Sequence, residues 1–161
     1  MDEPRAKRIL VVDDEVLIAE TMALILRSSG YDATARNDAR SALQECEVRI
    51  PDLVLSDVVM PEMNGIDLAI QLEQRYPGCR ILLISGLGSS FGLAAEASER
   101  GHTFEILSKP IRPAELLTRI EAALANSRIP QDSGDGAVTG GYSPVSSTGA
   151  QSEIAGRQTK G

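Results

Sequence analysis

Three nearly continuous apolar runs, ILVV at 9–12, LVL at 53–55 and ILLI at 81–84, limit the folds open to this chain more than any other feature. Short β-prone runs without polar alternation are buried on both faces, as inner strands of a parallel sheet are. Helix-length segments separate them. The spacing predicts a first strand at 8–13 and a helix from Val16 to Arg27, where Ile18, Met22, Ile25 and Leu26 share a face and Gly30 supplies the stop. DATAR at 32–36 is a weaker second strand, and Asp38 can cap a helix running to about Val48. The third strand, DLVLS, ends at Asp57, and a helix over 65–75 is stopped by Pro77-Gly78. RILLIS is the fourth strand, Ser89 to Arg100 an Ala-rich helix closed by Gly101, and 103–107 the fifth strand. Pro113 occupies a first helical position before AELLTRIEAALA.

Five β-α units in succession imply an α/β fold with a parallel sheet covered by helices on both faces. With right-handed crossovers, the expected arrangement is a doubly wound, flavodoxin-like sheet of order 2-1-3-4-5 with five helices. This domain is expected to occupy residues 1–126. Half of residues 127–161 is Gly, Ser, Thr or Pro, no apolar period survives there and the charges cancel. That composition predicts a disordered tail.

Polar residues collect where the apolar runs stop. Asp13 and Asp14 follow ILVV, Asp57 follows LVLS, Ser85 follows ILLI, and Lys109 closes FEILSK. Strand C-termini of an open α/β sheet share one crevice, where ligands bind. Three carboxylates crowded there call for a divalent cation, and a neighbouring lysine and hydroxyl suit a phosphoryl group. The net charge of −7 argues against a nucleic-acid ligand, and apolar runs of four or five residues are far too short to span a membrane. The N-terminus MDEPRAKR has no apolar segment of a secretory signal, so a cytoplasmic location is expected. Cys46 and Cys79 stand apart from any metal-binding spacing and read as partly buried free thiols. His102 reads as a turn residue after Gly101.

The segments VVDDE at 11–15, DVVMPEMNG at 57–65, ILLIS at 81–85 and Lys109-Pro110 together resemble the receiver domain of two-component response regulators. The likeness runs from the first strand to the last, in the stand-alone, chemotaxis-regulator-like form. It implies that Asp57 accepts a phosphoryl group from a phosphohistidine donor. It further implies magnesium held by Asp13, Asp14, Asp57 and the backbone carbonyl of Val59, with Lys109 and Ser85 contacting the phosphoryl oxygens. Pro61, Gly65 and Pro110 are structural in this reading, with Lys109-Pro110 as a cis bond, while Met60 and Met63 pack and Glu15 is solvated. One departure is plain. The position at which such domains often carry a switching Tyr or Phe is Ile106 here, with Phe104 on the same strand face. Ile106 and Phe104 are thus the weaker candidates for a switch.

The resemblance implies a sensor histidine kinase or histidine phosphotransfer protein as donor, an unnamed downstream protein, and a monomer or phosphorylation-dependent dimer. It implies no membrane contact and no enzymatic activity beyond self-phosphorylation and dephosphorylation. Rival readings fit less well. A degenerate receiver would lack an acid or the lysine. An aspartyl phosphohydrolase would carry its nucleophile in a D-x-D motif on the first strand. A flavin binder would need a phosphate-cradling glycine loop where VVDDE places anions.

Overall fold

The computed structural model describes residues 3–86, 88 and 91–126; the tail expected at 127–161 lies outside the described residues. Within them run β1 (Arg8–Val12), α1 (Val16–Ser28), β2 (Asp32–Arg36), α2 (Ala39–Val48), β3 (Leu53–Asp57), α3 (Gly65–Arg75), β4 (Arg80–Ser85), α4 (Phe91–Glu99), β5 (Glu105–Ser108) and α5 (Pro113–Ala125). All four pairings are parallel and the sheet order is β2-β1-β3-β4-β5. Leu10 faces Val54 and Val54 faces Ile81, so the three apolar runs lie side by side as inner strands.

Strand alternation divides the core into two layers. Ile9, Val11, Leu53, Leu55, Leu82, Ile84 and Leu107 pack against Ala19, Ala23 and Leu26 of α1 and Leu116 and Ile120 of α5. Leu10, Val12, Val54, Ile81 and Leu83 turn to the other side, against α2, α3 and Ala97 of α4. Local signals set the helix starts. The Asp38 carboxylate accepts the Ser41 amide at 2.7 Å, and Asn64 accepts the Asp67 amide at 2.8 Å. Pro113 begins α5.

Several expectations need adjustment. β1 stops at Val12, so Asp13 follows the strand, although its amide still bonds the carbonyl of Arg36 at 3.2 Å. β5 begins at Glu105, two residues late. Gly101 and His102 donate their amides back to Ser98 and Ala97, which caps α4 and delays the ladder. Cys46 and Cys79 are not joined in a disulfide, as expected, but they are fully rather than partly buried. His102 does occupy the turn after Gly101, yet its ring also meets Glu73 of α3.

Candidate functional site

Asp13, Asp57 and Lys109 carry the parity of Val11, Leu55 and Leu107, so all three arrive on the layer of α1 and α5, at the strands' C-terminal ends. Asp14 is exposed at the mouth. One carboxylate oxygen from each of Asp13, Asp14 and Asp57 lies within 4.8 Å of the others. Those are hard oxygen donors of the kind Mg²⁺ or Ca²⁺ takes.

Lys109 reaches into this cluster. Its Nζ donates to Asp13 Oδ2 and Asp57 Oδ2, each at 3.2 Å. Asp13 is completely buried, and its second oxygen accepts the Glu15 amide at 2.9 Å. Asp14 and Asp57 thus keep the more open carboxylates. Burial pushes the Asp57 carboxyl above its ordinary pKa. The hydrogen bond and charge of Lys109 oppose the rise, and the Asp13 charge adds to it. Burial by itself would lower Lys109, but its bonds and attraction to Asp57 and Asp13 outweigh that and raise it. The two partners respond differently because the Asp57 side chain is 11% exposed and that of Lys109 28%, so the carboxylate loses more hydration.

The backbone around Asp57 is held from two sides. Val58 donates its amide to Ile84 at 2.9 Å, tying the start of the loop to β4. Gly65 donates its amide to the Val58 carbonyl at 2.7 Å, and a Cβ on Gly65 would run into the carbonyl oxygen of Asp57. Pro61 precedes Glu62, which holds a left-handed φ of 67°. Met60 is buried and Met63 half-buried in the α2–α4 layer, as packing residues. The side chain of Val59 is half exposed beside the cluster, and the Lys109-Pro110 bond is cis.

Ser85 has the parity of Leu83 and belongs to the other layer. It is buried, and its hydroxyl donates to the Gly86 carbonyl at 3.1 Å, with no bond to the acidic cluster. Its own carbonyl accepts the Lys109 amide at 2.8 Å, which links the two residues through the backbone. Ile106 and Phe104 are half-buried in the α2–α4 layer, away from the carboxylates. Glu15 is exposed, as expected, and stands at the N-cap of α1.

Two residues not expected from the sequence help to fix the acids. Ser56 is buried and donates its hydroxyl to the Asp57 carbonyl at 2.9 Å. Asn37 donates to the Asp13 carbonyl at 3.3 Å. Ser56 carried a signal, being a lone hydroxyl in an apolar strand; Asn37 carried none. Beside Lys109 an apolar cleft of about 410 Å³ opens between Leu17, Ile18 and Met22 of α1 and Pro110 and Ile111. Among the described residues no helix is long and apolar enough to cross a membrane.

The arrangement offers a carboxylate nucleophile, oxygen donors for one divalent cation, and an ammonium able to pass from carboxylate to phosphoryl oxygen. The chain as a whole resembles known proteins. The family model described as the response regulator receiver domain matches residues 9–121. The alkaline phosphatase synthesis transcriptional regulatory protein PhoP of Bacillus subtilis is 35% identical over 76% of this chain and 50% of its own length. The DNA-binding response regulator MtrA of Mycobacterium tuberculosis is 34% identical over 77% of this chain and 53% of its own. The match therefore spans about half the length of these relatives. Among solved structures, a CheY-like receiver domain protein from Methanospirillum hungatei aligns with a TM-score of 0.68 at 28% identity, covering 74% of this chain and 94% of that one. The receiver domain of NtrX from Brucella abortus aligns with a TM-score of 0.66 at 34% identity, covering 74% and 99%.

Proposed function

This chain belongs to the response regulator receiver domain family, and on that premise we propose that Asp57 is its phosphoacceptor. Response regulators are signalling proteins of two-component systems that interact with histidine kinases. The observation carrying the assignment is the convergence of Asp13, Asp14 and Asp57 within 4.8 Å, with Lys109 bonded to two of them. In this reading an Asp57 carboxylate oxygen attacks the phosphorus of a phosphohistidine and the imidazole leaves, giving an acyl phosphate. Lys109 exchanges its bond to Asp57 Oδ2 for one to a phosphoryl oxygen, as the flexible stem of a lysine permits. Ser85 turns its hydroxyl from the Gly86 carbonyl to another phosphoryl oxygen.

The donor set fits Mg²⁺, which takes oxygen ligands and keeps several waters. Asp14 and Asp57 would hold it directly. Asp13, with both oxygens engaged, would contribute largely through water, and the Val59 carbonyl would complete the protein ligands. The ion would offset the carboxylate charge that otherwise repels an incoming phosphoryl group. A cytoplasmic kinase or phosphotransfer protein is the proposed donor. The proposed output is a protein contact rather than DNA, which the net charge of −7 supports.

The test is exposure of the whole chain to Mg²⁺ and acetyl phosphate, followed by intact mass. One phosphoryl adduct is expected on the wild type and none on Asp57→Asn. Labelling of Asp57→Asn at the wild-type rate would refute the assignment.

A further inference from the structure

Helix α1 carries apolar residues on both of its sides. Ala19, Ala23 and Leu26 are buried against the sheet, which settles how the helix faces. On the opposite side Leu17 is 74% exposed and Leu24 60%, and Thr21 and Ser28 are exposed with them. Successive turns bring residues 17, 21, 24 and 28 onto one line, with the alternating four-and-three spacing by which one helix packs along another. Ile18 and Ile25 continue the two leucines sideways, so this is a patch rather than scattered exposure.

The polar atoms on the line are already satisfied. Thr21 donates its hydroxyl to the Leu17 carbonyl at 2.6 Å, and Ser28 donates to the Leu24 carbonyl at 2.9 Å. A partner would therefore cover both residues without stranding a donor. The two flanks of the line differ. On one stand the half-buried Ile18 and Ile25, which wall the apolar cleft beside Pro110 and Ile111. On the other stand Glu20 and Arg27, both exposed. They lie two turns apart, about 10 Å along the axis, too far to pair with each other. Arg27 uses its Nε on the Ala33 carbonyl at 2.9 Å, which steadies the guanidinium and leaves its terminal nitrogens to a partner.

We propose that this face of α1 is a contact between two copies of this chain, made by the two α1 helices side by side and antiparallel about a twofold axis. Such a contact needs a surface complementary to itself, and the order of residues along α1 supplies it in one direction only. Antiparallel, Thr21 of each copy packs beside Leu24 of the other, and Leu17 beside Ser28, large against small in every layer. In that register Ile18 meets Ile25 on one flank, and Glu20 meets Arg27 on the other, twice over by symmetry. In a parallel pair the charged flank of one helix would meet the isoleucine flank of its mate, leaving the charges without partners. A helix of 13 residues is only about 20 Å long, so the contact falls short of the ~1,200 Å² of a standard interface and is weak and reversible.

The test is sedimentation equilibrium of the whole chain in EDTA, from about 10 μM to about 1 mM, the dissociation constant of a very weak contact. The samples are wild type, Leu24→Asp, Val48→Asp, Glu20→Arg, Arg27→Glu and an equal mixture of the last two, each checked for folding by thermal melt. Wild type should show a monomer–dimer equilibrium, and Leu24→Asp should remove the dimer. Val48 is 79% exposed but lies on α2, so Val48→Asp should leave the equilibrium unchanged. Glu20→Arg and Arg27→Glu each set like charges face to face at both symmetric positions, and each should weaken association roughly tenfold. Mixed, the two variants bring opposite charges together again, so the mixture should associate as wild type does. Wild type that stays monomeric at the highest concentration, a dimer that survives Leu24→Asp, or a mixture no stronger than its components would overturn the proposal. None of these readouts involves Asp57, so the phosphoacceptor reading is tested separately.

Discussion

Replacing Gly65 by alanine tests whether the loop after β3 aims Asp57. The added Cβ would overlap the Asp57 carbonyl oxygen and stand 2.9 Å from the Asp57 carbonyl carbon and 3.0 Å from the Val58 Cα. All three are backbone atoms, so no rotamer relieves the clash. Comfortable carbon contacts begin near about 3.5 Å, and the 57–65 loop must open by roughly an ångström or more. Overpacking of this kind costs about 1–3 kcal/mol. Losing the 2.7 Å bond from Gly65 to Val58 adds about 0.5–1.5 kcal/mol. The better helix propensity of alanine returns at most about 1 kcal/mol. The net loss is roughly 2–3 kcal/mol, or about 10 °C in melting temperature for a domain of this size. The carbonyl that must move is the one Ser56 also holds, so the Asp57 carboxylate moves with it. Displacement of a reacting group by about 1 Å can cost roughly 100-fold in rate. Thermal melts without metal, and adduct formation from acetyl phosphate followed by intact mass, measure the two effects. A Gly65→Ala protein that melts and labels like wild type would refute the reasoning. One that melts early but labels normally would show that the loop stabilises without aiming.

Three further outcomes are expected. Lys109→Ala leaves Asp13 and Asp57 facing each other without a cation, which should cost about 1–3 kcal/mol in EDTA, less than for a fully buried pair because Lys109 is 28% exposed. Mg²⁺ should restore more stability to that variant than it adds to wild type, and identical melts in EDTA would contradict this. Glu62→Gly relieves a left-handed φ of 67° and should raise stability by about 0.5–1 kcal/mol, so an unchanged or lower melting temperature would refute it. Burial raises the Cys46 thiol from 9.0 to about 11. Between those values the unfolded chain sheds a proton that the folded chain keeps, so stability falls as pH rises through that window. Tyr31 is also raised and contributes equally to both proteins, so Cys46→Ala should show a shallower alkaline decline than wild type; parallel curves would rule Cys46 out.

The sequence disclosed the sheet because burial on both faces leaves a mark that needs no tertiary knowledge: ILVV, LVL and ILLI have no polar face to mislead. It disclosed Asp13 and Asp57 because they close two of these strands, and Lys109 because it closes the weaker strand FEILS. What stayed hidden was whatever depended on distant partners. Nothing local in Lys109 says that it would bond two acids, 52 and 96 residues away. His102 looked like a plain turn residue because its partner Glu73 lies 29 residues back. The late start of β5 was hidden for a related reason. TFEIL alternates as a strand should, but the cap of α4 has first claim on the amides before it. The strain at Glu62 was invisible because a glutamate gives no warning of a positive φ.

The two layers of the core have a consequence for how this protein can change over generations. Asp13, Asp57 and Lys109 stand on the side of α1 and α5, while Ser85, Phe104 and α4 belong to the side of α2 and α3. The sheet between them acts as a partition. Substitutions on one side need not disturb the other, provided the backbone bond between Ser85 and Lys109 is kept. Variation on the outer surface of α4 should therefore be tolerated far more readily than variation in the handful of backbone bonds where the two sides meet.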